Sequence, residues 1–258
     1  MNHRLLALVV LAVLIGDARA SDQRRELEFA EQLQAGTSAG NVVWLNSAGQ
    51  RFLGIWTEAE KADNTNAVIL LHDMGNHPDH QPLIRGLRTS LPEYNWATLA
   101  IQLPLREIGA EARDYYGLFD EARGRIQAAV AFLRGNGARN IALVGHGIGA
   151  AMAAYTISLE PDALLALAAI SLPLPDSTLP QARIGDFLKQ IALPFLDIYA
   201  EFDLPEVADT ARQRRMLAKD NPVYRQVVIN GEDHDYSHDP AMVVKRVHGW
   251  LTLNLNPN

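Results

Sequence analysis

Cysteine is absent from the 258 residues. That excludes disulfides, cysteine-ligated zinc, iron–sulfur clusters, a thiol nucleophile and a lipidated N-terminus. Positive charge is in short supply. Lys and Arg number 23 against 30 Asp and Glu, a net charge of −7 with a pI near 5.6. A nucleic-acid partner needs a basic face, so that class is set aside. Long hydrophobic runs are missing too. The only candidate is the eleven-residue run 5–15, too short to span a bilayer comfortably. No internal repeat and no interdomain linker breaks the chain. What remains is 48% hydrophobic and 21% charged, an ordinary globular composition large enough for a core without staples.

The first twenty residues read as an export signal. His3 and Arg4 open it, the apolar run follows, and Ala18-Arg19-Ala20 puts small residues where a signal peptidase reads them. Cleavage after Ala20 leaves a single domain, residues 21–258. Losing Arg4, Arg19 and Asp17 removes one net positive charge and takes the mature chain to −8. The expected location is periplasmic or secreted, with no membrane span after cleavage. Soluble cofactors such as NAD and ATP are scarce there, and no cofactor is expected.

The mature chain begins with an amphipathic helical pattern over 22–33, with Leu27, Ala30 and Leu33 on one side. Strand-like segments 41–45 and 52–57 flank a hairpin signal at 47–50. Short apolar runs then alternate with helical stretches. Strands are predicted at 67–71, 96–102, 140–144, 163–170, 194–199 and 223–229. Helices are predicted at 82–90, 120–134, 150–159, 205–218 and 239–253. Continuous apolar strands separated by helices predict a mostly parallel sheet of about eight strands, covered on both faces. The Pro-rich stretch 172–180 follows a strand C-terminus, where lids and ligand loops belong.

One motif carries the functional question. Val144-Gly145-His146-Gly147-Ile148-Gly149-Ala150 joins a strand to a helix. Here the chain resembles the α/β-hydrolase superfamily, whose nucleophile elbow is G-x-S-x-G. Gly145 and Gly149 match, but Gly147 stands where the serine belongs. The resemblance implies an α/β-hydrolase fold with a small lid-like insertion. It also implies the order nucleophile, acid, base, which assigns Asp203 as the acid and His234 as the base. The loop His72-Asp73-Met74-Gly75 resembles the family's oxyanion loop, H-G-x-G, with Ile148 following the elbow. Within the superfamily the chain is similar to secreted bacterial hydrolase-like proteins with glycine at the elbow.

Two departures weigh against ester hydrolysis. Gly147 has no side chain to acylate. Asp73 replaces a glycine and would set a negative charge beside the oxyanion hole unless it points away. Other readings compete residue by residue. Gly145-x-Gly147-x-x-Ala150 fits a dinucleotide fingerprint, but the next strand ends at Ile170-Ser171 with no carboxylate for a ribose. Asp203-Leu204-Pro205-Glu206 also reads as a helix N-cap. Asp197 is an alternative acid, and Ser171 an alternative nucleophile off the elbow. Six of the eight histidines fall near strand C-termini: His72, His77, His80, His146, His234 and His238. Their spacing matches no standard metal motif, so no metal ligand is assigned. The leading expectation is a non-catalytic or divergent relative that binds a small molecule or an envelope protein. The alternatives are a hydrolase or lyase working through a His234–Asp203 dyad, and a metal-dependent hydrolase using the loop histidines.

Overall fold

The computed structural model describes residues 21–37, 39–61 and 65–255. The expected export signal lies outside the described residues. No helix among those described is long and apolar enough to cross a membrane.

Eight strands form one sheet: β1 (Asn41–Ser47), β2 (Gln50–Thr57), β3 (Asn66–Leu71), β4 (Ala97–Ile101), β5 (Asn140–His146), β6 (Ala166–Ile170), β7 (Phe195–Phe202) and β8 (Tyr224–Asp233). Their order is β1-β2-β4-β3-β5-β6-β7-β8. The hairpin β1–β2 and the β2–β4 pair are antiparallel, and every other pair is parallel. The helices are α1 (Gln23–Gly36), α2 (Leu83–Ser90), α3 (Ala112–Tyr115), α4 (Phe119–Gly135), α5 (Ile148–Leu159), α6 (Ile184–Gln190), α7 (Pro205–Ala208), α8 (Ala211–Leu217) and α9 (Pro240–Leu255).

The strands are apolar at nearly every position because both faces are covered, and alternate residues serve different cores. Ala67, Ile69 and Leu71 of β3 pack in the cluster with α4, α5 and α6. Val68 and Leu70 face the opposite cluster, under α2 and α9. A third, small cluster seats Ala30 and Leu33 of α1 on Leu53 and Ile55 of β2.

Three local expectations are corrected. Leu27 is 54% exposed, and its place on the inner side of α1 goes to Glu26. Glu26 can be buried there because Arg125 of α4 meets its carboxylate at 2.8 Å. The helical stretch 205–218 is two short helices, α7 and α8. Helix α6 lies just beyond the Pro-rich stretch, where no helix was expected.

The strand order reverses between β3 and β5. The chain leaves β3 toward β4 and leaves β5 toward β6, so their C-terminal loops diverge and open a crevice. Asp73 follows β3 and Gly147 follows β5, so the two departures from the hydrolase pattern meet at this switch point.

Candidate active site

The turn from β5 into α5 has the backbone of a nucleophile elbow. Gly147 adopts φ 53° and ψ −121°, a positive-φ conformation that strains any residue with a side chain. Its neighbours are glycines for steric reasons: a Cβ at Gly145 would sit 2.7 Å from the Ala150 backbone, and one at Gly149 would strike the His72 carbonyl. The turn therefore keeps a sharp strand-to-helix shape with no side chain at position 147.

The space beside Gly147 is filled from the facing loop. A Cβ on Gly147 would overlap the Asp73 carboxylate, which occupies the space a nucleophile's side chain would need. Asp73 does not point away. Its Oδ1 accepts the Ile148 N–H at 2.7 Å, the backbone donor that follows the elbow. Its Oδ2 meets His234 Nε2 at 3.0 Å. His234 Nδ1 in turn meets Asp203 Oδ1 at 2.7 Å. The result is a continuous chain, Asp73–His234–Asp203, drawn from the loops after β3, β8 and β7.

Electrostatics follow from this geometry. Burial disfavours a charged His234, but hydrogen bonds and charges from Asp203 and Asp73 outweigh it and push its pKa up to about 10. Burial also opposes ionisation of both carboxylates, yet the contacts with His234 hold each below its ordinary range. At neutral pH the centre is an imidazolium between two carboxylates. His72 is different: burial drives its pKa down to about 3. It stays neutral, with Nδ1 donating to the Asp73 carbonyl at 2.7 Å and Nε2 accepting the Leu103 N–H at 3.0 Å. Its work is to hold the loop that aims Asp73. Met74 packs on the core beneath, and the gap that Asp73 shares with Met74, Leu103 and Ile148 keeps no water-sized space.

The remaining candidates separate cleanly. Asp203 is not a helix cap. The N-cap of α7 is Leu204, and Asp203 instead accepts the Ala200 N–H at 3.0 Å and the Leu204 N–H at 2.9 Å. Ser171 is fully buried and gives its hydroxyl proton to Asp203 Oδ2 at 2.6 Å, so it braces the acid and offers no accessible nucleophile. Asp197 lies inside β7, paired with Arg214 at 2.9 Å and apart from His234. His77 and His80 meet edge to face, with ring centroids 5.7 Å apart, and join no candidate ligand cluster among the described residues. Tyr236 escaped the sequence reading. It is buried, its hydroxyl lies 2.9 Å from Ser171 Oγ, and its only sequence signal is an aromatic inside an acidic loop. His146 Nε2 bonds the His234 carbonyl at 2.9 Å, a tie between β5 and the β8 loop that spacing could not reveal.

A family model described as "Protein of unknown function (DUF3530)" matches residues 15–117 and 118–253. The chain belongs to this family. No curated protein matches it. Solved structures place the DUF3530 chain in the α/β-hydrolase fold. Est1E from Butyrivibrio proteoclasticus is 16% identical with a TM-score of 0.69, over 84% of this chain and 99% of that one. A dienelactone hydrolase from Anabaena variabilis is 20% identical with a TM-score of 0.69, over 84% and 98%. The esterase Pf2001 of Pyrococcus furiosus is 17% identical with a TM-score of 0.68, over 83% and 89%. At these identities the likeness is one of fold, which hosts many functions.

Proposed function

We propose that this DUF3530 chain is an exported, periplasmic or secreted member of the hydrolase fold that has given up acyl transfer and binds a small molecule or protein partner of the bacterial envelope. The observation that carries this reading is the Asp73 carboxylate, seated where a nucleophile's side chain would be and already holding the Ile148 N–H. An oxyanion hole acts through donors kept free for developing negative charge. Here a permanent anion takes the donor. The dyad alternative needs a lone pair on His234 Nε2 turned to water or substrate. Asp73 faces that nitrogen instead. Room for a ligand exists elsewhere. A cavity of about 530 Å³ lies between residues 174–189 and α8, lined by Leu174, Arg183, Lys189 and Leu217 among others. Its size suits a small molecule.

The test is an assay of the mature protein on short-chain activated esters and with a covalent serine-hydrolase probe, beside His234→Ala. The expected result is no labelling and no turnover above the variant. Turnover that disappears in His234→Ala would establish the dyad enzyme in place of this reading.

A further inference from the structure

The same residues have a second property. Asp73, His146 and His234 each offer one ligand atom, and these atoms lie within 4.8 Å of one another. We propose that these three residues form a binding site for a divalent transition metal, zinc by the chemistry of the donors. Two imidazoles and a carboxylate are an ordinary zinc set, with one position left for water. Zinc bonds of about 2.0–2.1 Å in a tetrahedron put neighbouring ligand atoms roughly 3.3 Å apart. His234 Nε2 and Asp73 Oδ2 are already 3.0 Å apart.

The surrounding contacts prepare both histidines as ligands. Metal-bound imidazoles usually donate their other N–H to a carboxylate or carbonyl, which fixes tautomer and ring direction. His234 Nδ1 has Asp203 at 2.7 Å, and His146 Nε2 has the His234 carbonyl at 2.9 Å. Each ring therefore keeps one nitrogen for a lone pair. The ligand carboxylate of Asp73 and the carboxylate of Asp203 behind His234 offset a charge of +2. The metal takes the place of the proton that otherwise bridges Nε2 and Asp73, and that proton leaves to solvent. His146 ends β5, and Asp73 and His234 lie one or two residues past the ends of β3 and β8. The missing side chain at Gly147 gives the Asp73 carboxylate its space. The His234 side chain is 16% exposed, which provides an entry path.

A second cluster on the same face is a built-in control. Glu232, Asp233 and His238 also lie within reach of one another. Their carboxylates are spent on the loop itself: Glu232 accepts the N–H groups of His238 and Asp239, and Asp233 accepts those of Asp235 and Ser237. The metal proposal does not rest on the site being non-catalytic, and the ester assay cannot decide it.

The experiment uses tag-free mature protein stripped with chelator and titrated with zinc by calorimetry and with cobalt(II) by visible absorption. One equivalent should bind in the wild type and in His238→Ala. Affinity should fall about 100-fold or more in Asp73→Asn and His146→Gln, and about 10–100-fold in Asp203→Asn. Thermal melts check that each variant folds. Should a variant fail to fold, histidine side-chain NMR of the wild type gives the answer: zinc should shift His146 and His234 and leave His77 and His80 in place. Absence of a stoichiometric site, loss of binding in His238→Ala, or shifts confined to His77, His80 or His238 would overturn the proposal.

Discussion

Asp197 lies inside β7 and Asp203 just past its end, and each meets a cationic side chain. The two pairs behave differently. Asp197 Oδ2 accepts from Arg214 Nε at 2.9 Å, Tyr224 Oη at 2.7 Å and Gln226 Nε2 at 2.9 Å, pinning α8 and β8 to the sheet. Both side chains are fully buried. Asp203 meets an imidazolium that a second carboxylate holds from the other side, at the mouth of the crevice and partly open to solvent. One pair is a brace inside the fold. The other is a hydrogen-bonded chain of carboxylate, imidazole and carboxylate at the crevice. Position on the same strand decides which: mid-strand residues belong to packing, and residues past a strand's C-terminus belong to the site.

Substitutions sharpen the contrast. Arg214→Met should be the most damaging, since it leaves Asp197 as an uncompensated buried charge, at a cost of about 3–5 kcal/mol in urea denaturation. Adding Asp197→Leu should recover much of that loss. His234→Gln should cost less, about 1–3 kcal/mol, because the site is nearer solvent and glutamine still hydrogen-bonds. If His234→Gln proved the costlier of the two, the division between brace and site would fail.

A further effect separates the pairs by pH. The folded pKa of His234, about 10, lies above its ordinary 6.5. Its stabilisation is therefore complete below pH 6.5 and lost as pH rises toward 10. On the acid side, Asp73 and Asp203 are held below their ordinary 3.8, so their contribution declines as pH falls below that value. In metal-free protein the melting temperature should drop between pH 6.5 and 10, and the drop should shrink in His234→Gln. Equal slopes in the two proteins would remove His234 from the account.

Much of the fold was legible because its strands advertise themselves. A buried parallel strand such as 67–71 is an unbroken apolar run, and the 47–50 turn marks the β1–β2 hairpin. The elements that misread are those whose partners lie far along the chain. Glu26 turns inward because Arg125 waits 99 residues away, and Leu27 turns outward in consequence. The site was half legible. Gly147 and Asp73 each depart visibly from the hydrolase pattern, and the order Asp203, His234 anticipates two residues that the fold brings to hydrogen-bond distance. That one departure fills the space left by the other is a fact about two loops brought together by the strand reversal, and no local spacing encodes it.

The central claim is that Asp73 occupies the position a nucleophile would need. A double-mutant cycle on Gly147→Ser and Asp73→Gly, read by denaturant unfolding, tests it most directly. Serine at 147 brings the strain of a positive φ, about 1–3 kcal/mol, in either background. With Asp73 present it also collides with the carboxylate. Gly147→Ser should cost about 1–3 kcal/mol more in the wild-type background than in Asp73→Gly. Equal costs in both backgrounds would show that the two residues do not compete for one space, and the account would be wrong.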